Sequence, residues 1–209
     1  MKLQLRLISL AVVAIWGTAT CPVLANKPYQ EDSSIQSEVN SEILAESNWQ
    51  IYQNSQFSFQ IEYPFTYTLD STYENEYPDS SFIHLYTNAD ARDLTAGKYD
   101  GTELPLHISI SAYENPARLS VLEWLEENSA SSNFVDYRIG DYEAIAIDNR
   151  EAIAYTWESL LGGFADSVAV NNNLNNSIII LTVGYVEESD RMRQDFQEIL
   201  GTLKFIGDR

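Results

Sequence analysis

The sequence predicts an α+β fold, a central antiparallel sheet flanked by helices, and three observations carry that expectation. Alternating or β-branched runs recur from Trp49 to the end of the chain, separated by Gly, Asn and Pro punctuation. Only two stretches of that region have a helical repeat, and the order strands, helix, strands, helix lacks the alternation that a parallel sheet needs. One run, Ser177 to Val183, is apolar on both faces, as expected of an interior strand covered on both sides.

The chain has 209 residues, 44% hydrophobic and 21% charged, which suits one soluble globular domain. Twelve Lys and Arg against 31 Asp and Glu give a net charge of −19, which argues against a phosphate backbone as partner, so no nucleic acid is expected. One Cys and two His cannot build a structural zinc site, an iron–sulfur cluster or an internal disulfide.

Lys2 and Arg6, the apolar run Leu7 to Trp16 and small residues up to Ala25 have the order of a signal peptide, residues 1–25, cleaved after Ala25. A spanning helix needs about 20 apolar residues and no segment reaches that length, so the mature chain is expected to be exported without a transmembrane segment. Loss of Lys2 and Arg6 leaves ten basic residues against 31 acidic, a net −21, and no cysteine. Cys21 is a competing, lipidated processing site. Thr18-Ala19-Thr20 before it and Pro22 after it match that pattern poorly, and the other reading is a discarded signal residue. Residues 26–48 are rich in Ser, Glu, Gln and Asn and read as a disordered polar tether. Ile35, Val39 and Ile43 also fit a short docking helix.

The domain is expected over 49–209. Trp49 to Tyr52 and Phe57 to Tyr63 alternate around Asn54-Ser55-Gln56 and read as a hairpin ended by Pro64. Extended stretches follow at Thr66 to Ser71, Phe82 to Tyr86 and Leu106 to Ala112. In the last, Leu106, Ile108, Ile110 and Ala112 share one face, and His107, Ser109 and Ser111 the other. Ser120-Val121-Leu122-Glu123 is a capping box with Leu119 and Trp124 as its staple, predicting a helix to about Ser129. Ala144 to Ile147, a turn at Asp148-Asn149, Glu151 to Trp157 and Phe164 to Val170 continue the sheet. Met192, Phe196, Ile199, Leu200 and Leu203 form the stripe of a final helix from Ser189 or Asp190, with Gly201 as its stop. Leu203 to Ile206 is a last short edge strand.

The run Phe57-Ser58-Phe59-Gln60-Ile61-Glu62-Tyr63-Pro64 with Tyr67, and the closing Phe196 to Phe205, resemble the opening and closing segments of PsbP-like domains. Tyr67 departs from a Trp common at that place. The resemblance implies an α/β/α sandwich and a non-catalytic accessory or assembly role, in the periplasm or the thylakoid lumen. It transfers no site residue.

Motifs for phosphate binding, zinc proteolysis or a serine nucleophile elbow are missing. Serine catalysis would need His84 or His107 as base. The plainer reading of both is a half-exposed sheet histidine. Asp70, Glu74, Glu76 and Asp79, with Asp90 and Asp93, are candidate oxygen ligands for Ca²⁺, against a role as solubilising surface charge. Tyr52, Tyr63, Tyr67, Tyr73, Tyr77, Tyr86 and Tyr99 are interface material or ordinary strand residues. Three functions follow: an accessory module with no cofactor, working through an envelope or membrane-associated protein partner whose surface is basic or cation-bridged; a small-ligand binder or enzyme with a pocket near His84 and His107; or a Ca²⁺-binding envelope protein.

Overall fold

The computed structural model describes residues 48–99, 104–129, 133–159 and 162–207. The signal segment with Ala25 and Cys21, and the tether up to residue 47, lie outside the described residues.

The opening hairpin forms as expected, β1 (Trp49–Asn54) against β2 (Phe59–Pro64). Its turn is fixed by Asn54, whose Oδ1 accepts from Phe57 N (2.8 Å) while its Nδ2 donates to Ser81 Oγ (3.1 Å). The hairpin does not join the main sheet. It makes a separate three-stranded sheet, order β1-β2-β10, with the terminal strand β10 (Lys204–Phe205).

The main sheet has seven strands in the order β3-β4-β5-β9-β8-β7-β6, antiparallel throughout. They are β3 (Tyr67–Asp70), β4 (Ser80–Thr87), β5 (Ile108–Glu114), β6 (Arg138–Ile147), β7 (Arg150–Glu158), β8 (Phe164–Asn172) and β9 (Ser177–Tyr185). β9 lies at the centre, between β5 and β8, and is buried on both faces along most of its length. Asp148 and Asn149 both have positive φ (49° and 60°), the geometry that lets a two-residue turn match the twist of β6 and β7.

One face of this sheet carries the larger core. Ile83, Leu85, Ile108, Ile110, Ile179, Leu181 and Val183 pack against Phe59 and Ile61 of the small sheet and against α3 (Arg191–Gly201) through Phe196, Ile199 and Leu200. The helix starts at Asp190 as expected, but Gly201 does not end it by a left-handed turn. Thr202 does. Its Oγ1 donates to Ile199 O (2.6 Å) and accepts from Glu62 N (2.8 Å), so the end of α3 is bonded to the edge of β2.

The opposite face is covered at one end by α2 (Val121–Glu127), which stops at Glu127, two residues short of the expected Ser129. Its capping box is complete: Glu123 N donates to Ser120 Oγ, and Ser120 N donates to Glu123 Oε2 (2.9 Å). Val121, Trp124 and Leu125 pack there on Ile153, Tyr155, Ala169, Ile178 and Ile180.

One helix was not expected, α1 (Asn88–Thr95). It buries no residue, so it shows no apolar stripe. What starts it is local: Thr87 Oγ1 accepts from Asp90 N (3.2 Å) and donates to Asp90 Oδ2 (2.6 Å).

Candidate functional site

Strand alternation sends every second residue of the main sheet to the face that α2 only partly covers. On that face, cross-strand register aligns Asp70, His84, Ser109, Thr182, Ser167 and Tyr155 as successive neighbours over six strands. A row of polar residues through the middle of a sheet is costly to cover and marks where apolar packing stops. In the next row, Gly184 N donates to His107 O (3.4 Å), Gly184 faces Ala165, and Ala165 faces Trp157. Two ring-bearing residues are thus separated by two of the smallest residues, which leaves a hollow.

That hollow is a cavity of about 700 Å³. Ser109, Thr182, Ala165 and Gly184 form its floor, and His107 and Trp157 stand on opposite sides. Its rim is apolar and exposed, with Leu104 51% and Val186 62% accessible.

The Trp157 side is built by polar ties. Trp157 Nε1 donates to Ser167 Oγ (3.0 Å), and Ser167 Oγ lies 2.8 Å from Thr182 Oγ1. Tyr155 OH donates to Asn133 O (2.8 Å), and Asn133 Nδ2 reaches back to Leu125 O and Asn128 O. That anchor sets the left-handed Phe134 (φ 54°), whose ring stacks on Trp157 at 4.3 Å and 13°. At the mouth, Gly163 has φ +84°, and a Cβ there would sit 2.5 Å from Tyr185 O, so Gly163 is demanded by both torsion and space, and Gly162 (φ +88°) by torsion alone.

The histidine side is a ring cluster. His84 and His107 meet edge to face at 4.8 Å, and Tyr86 lies 5.1 Å from His107. His107 lines the cavity and His84 stands behind it. Nδ1 of His107 is 2.9 Å from Pro105 O. A carbonyl only accepts, so Nδ1 carries the proton and Nε2 of the neutral ring keeps its lone pair. Burial lowers the His107 pKa, against the pull of the Pro105 bond. Burial and then the neighbouring His107 push His84 down to about 4, against Asp70. Both imidazoles are neutral at pH 7. His84 Nδ1 is buried with no hydrogen-bond partner among the described residues.

The order Asp70, His84, Ser109 is that of an orienting acid, a base and a nucleophile, yet no relay is assembled. Neither imidazole is hydrogen-bonded to Ser109 among the described residues. Burial raises the Asp70 pKa, but bonds from Thr72 Oγ1 (2.6 Å) and Thr72 N (3.0 Å) more than offset it and hold the carboxyl below its usual range.

The acidic candidates do not gather. Glu74 Oε1 accepts from Tyr52 OH (2.7 Å), Asp90 caps α1 and accepts from Tyr99 OH (3.2 Å), and Asp93 pairs with Lys98 at 2.7 Å. Glu76 and Asp79 are exposed in the turn before β4. Among the described residues, no group of three or more His, Cys, Asp or Glu is placed to hold a metal ion. Of the seven tyrosines singled out, Tyr52, Tyr63, Tyr67 and Tyr86 are core residues, while Tyr73 and Tyr77 are exposed.

Sequence reasoning placed His107 and Ser109 on one polar face but missed Trp157, Phe134 and Gly184. Gly184 had a readable signal, since a glycine closing the apolar run Ile178 to Val183 marks a close approach or an unfilled place.

No family model and no curated protein matches the chain. Among solved structures it is similar to the solution structure of cyanobacterial PsbP (CyanoP) from Synechocystis, with 13% identity and a TM-score of 0.50, covering 76% of this chain and 92% of that one. It also matches a crystal structure from Bacteroides thetaiotaomicron, with 12% identity and a TM-score of 0.45, covering 77% of this chain and 50% of that one. Ten strands in two antiparallel sheets with three helices, together with the CyanoP likeness, give the described domain a PsbP-like α+β fold.

Proposed function

We propose that this chain is an exported, non-catalytic accessory module of PsbP-like fold that takes a small ligand on the open face of its main sheet. The observation that carries the reading is the 700 Å³ cavity between His107 and Trp157, a volume typical of small-molecule sites. The unassembled Asp70, His84 and Ser109 row supports binding over catalysis. Gly184→Leu tests the reading, because Gly184 lines the cavity and a Cβ there meets, among the described residues, only the flexible end of Leu106 at 3.2 Å. Native mass spectrometry of protein recovered from its own host should show a bound small mass that Gly184→Leu loses while the melting temperature is kept. Equal spectra for both proteins would overturn the reading.

The module's acidity suits a protein partner with a basic or cation-bridged surface. Cross-linking in intact cells followed by salt washes tests this, and a complex that survives 1 M salt unchanged refutes the electrostatic part.

A further inference from the structure

From the make-up of the cavity we infer the class of its ligand: an uncharged, flat, ring-bearing molecule that presents a hydroxyl or N–H donor to Nε2 of His107. This rests on the cavity being a binding site, as proposed above.

Three observations carry it. In a chain with 21% charged residues, none of the 16 described residues that line the cavity is charged. A charged ligand would shed its water against these described residues with no counter-charge among them, a loss that disfavours anions and cations alike. The protein's negative field also repels an anion before it arrives.

The walls decide the shape. Trp157, buttressed by the parallel ring of Phe134, lies across the cavity from His107, itself held edge to face by His84 and by the tilted ring of Tyr86. Between them the floor is only Gly184 and Ala165, so a planar group fits flat over the small residues with ring contacts on both flanks.

The third observation sets polarity. The bond to Pro105 O commits the His107 Nδ1 proton, and Nε2 has no partner among the described residues. A bare imidazole nitrogen accepts and cannot donate. A ligand that brings only acceptors leaves it unsatisfied, whereas one with an O–H or N–H pairs with it.

Four two-ring probes of near-equal size separate these claims: 1-naphthol, its methyl ether 1-methoxynaphthalene, naphthalene-1-sulfonate and 1-naphthylmethylammonium. Binding to the full mature protein is followed by calorimetry, with Gly184→Leu as the plugged control. The expected result is that 1-naphthol binds about tenfold tighter than the methyl ether and that neither charged probe binds at the cavity. His107→Phe should remove the tenfold preference and leave the methyl ether unchanged. If that variant fails to fold, the comparison of 1-naphthol with its ether on the native protein still decides the donor claim. A charged probe that binds tightest and is lost in Gly184→Leu overturns the ligand class while leaving the cavity a binding site. Binding of none of the four, or binding unaffected by the plug, overturns both.

Discussion

Acidification below pH 6.5 should weaken this fold, and His84 is one reason. Its pKa falls from 6.5 to about 4 on folding, by burial and by the neighbouring His107 ring. A depressed folded pKa means that below pH 6.5 the unfolded chain binds a proton the native protein refuses. Stability is therefore full above 6.5 and is lost progressively as pH falls toward 4. By pH 5 the linkage amounts to about 2 kcal/mol, trimmed to about 1–2 kcal/mol because the ring keeps some contact with solvent. At 2–4 °C per kcal/mol for a domain of this size, the melting temperature should drop by about 2–8 °C between pH 7.5 and pH 5. His84→Phe keeps a ring against Tyr86 and His107 but takes up no proton, and also removes the unpartnered Nδ1. Thermal melts of both proteins at the two pH values make the test. The variant should lose less stability on acidification than the native protein. Equal losses in the two proteins would refute the assignment of the acid sensitivity to His84.

Other perturbations have equally definite outcomes. Thr202→Val keeps shape but strips Glu62 N of its acceptor, which should cost about 1–3 kcal/mol in urea unfolding with an unchanged m-value. Gly163→Ala forces a Cβ into Tyr185 O at φ +84° and should cost at least about 1 kcal/mol. It should also disturb the cavity mouth, read as weakened 1-naphthol binding. Ser120→Ala breaks the capping box of α2 and should cost about 1 kcal/mol by the same denaturant assay.

What could be read from the sequence follows the range of the forces involved. Ser120 and Glu123 are three residues apart, and the alternation of Ile108, Ser109, Ile110 and Ser111 spans four, so the helix cap and the two faces of β5 were legible directly. The central place of β9 was legible too, because only a doubly covered strand is apolar on both faces. Pairing partners were not. The joining of β2 to β10, residues Gln60 and Lys204, and the adjacency of β4 to β5 that brings His84 to His107, depend on chain segments that share no local pattern. α1 was hidden for a different reason: it buries nothing, and periodicity records only burial. A pocket near His84 and His107 was expected, but its floor and far wall were not legible, because they are made by small residues, Gly184 and Ala165, and by Trp157 on another strand.

The pairing of β2 with β10 also has a bearing on time. The main sheet can assemble from residues 67–185, but the sheet that covers its apolar face is completed by the strand at Lys204–Phe205, which pairs with residues near 60. Contacts of such long sequence separation close slowly and late. During synthesis, β2 therefore waits for residues 204 and 205 before its second neighbour in the small sheet is in place. A sheet whose second edge comes from a segment so distant in sequence stays incomplete for most of the time the described domain takes to be made.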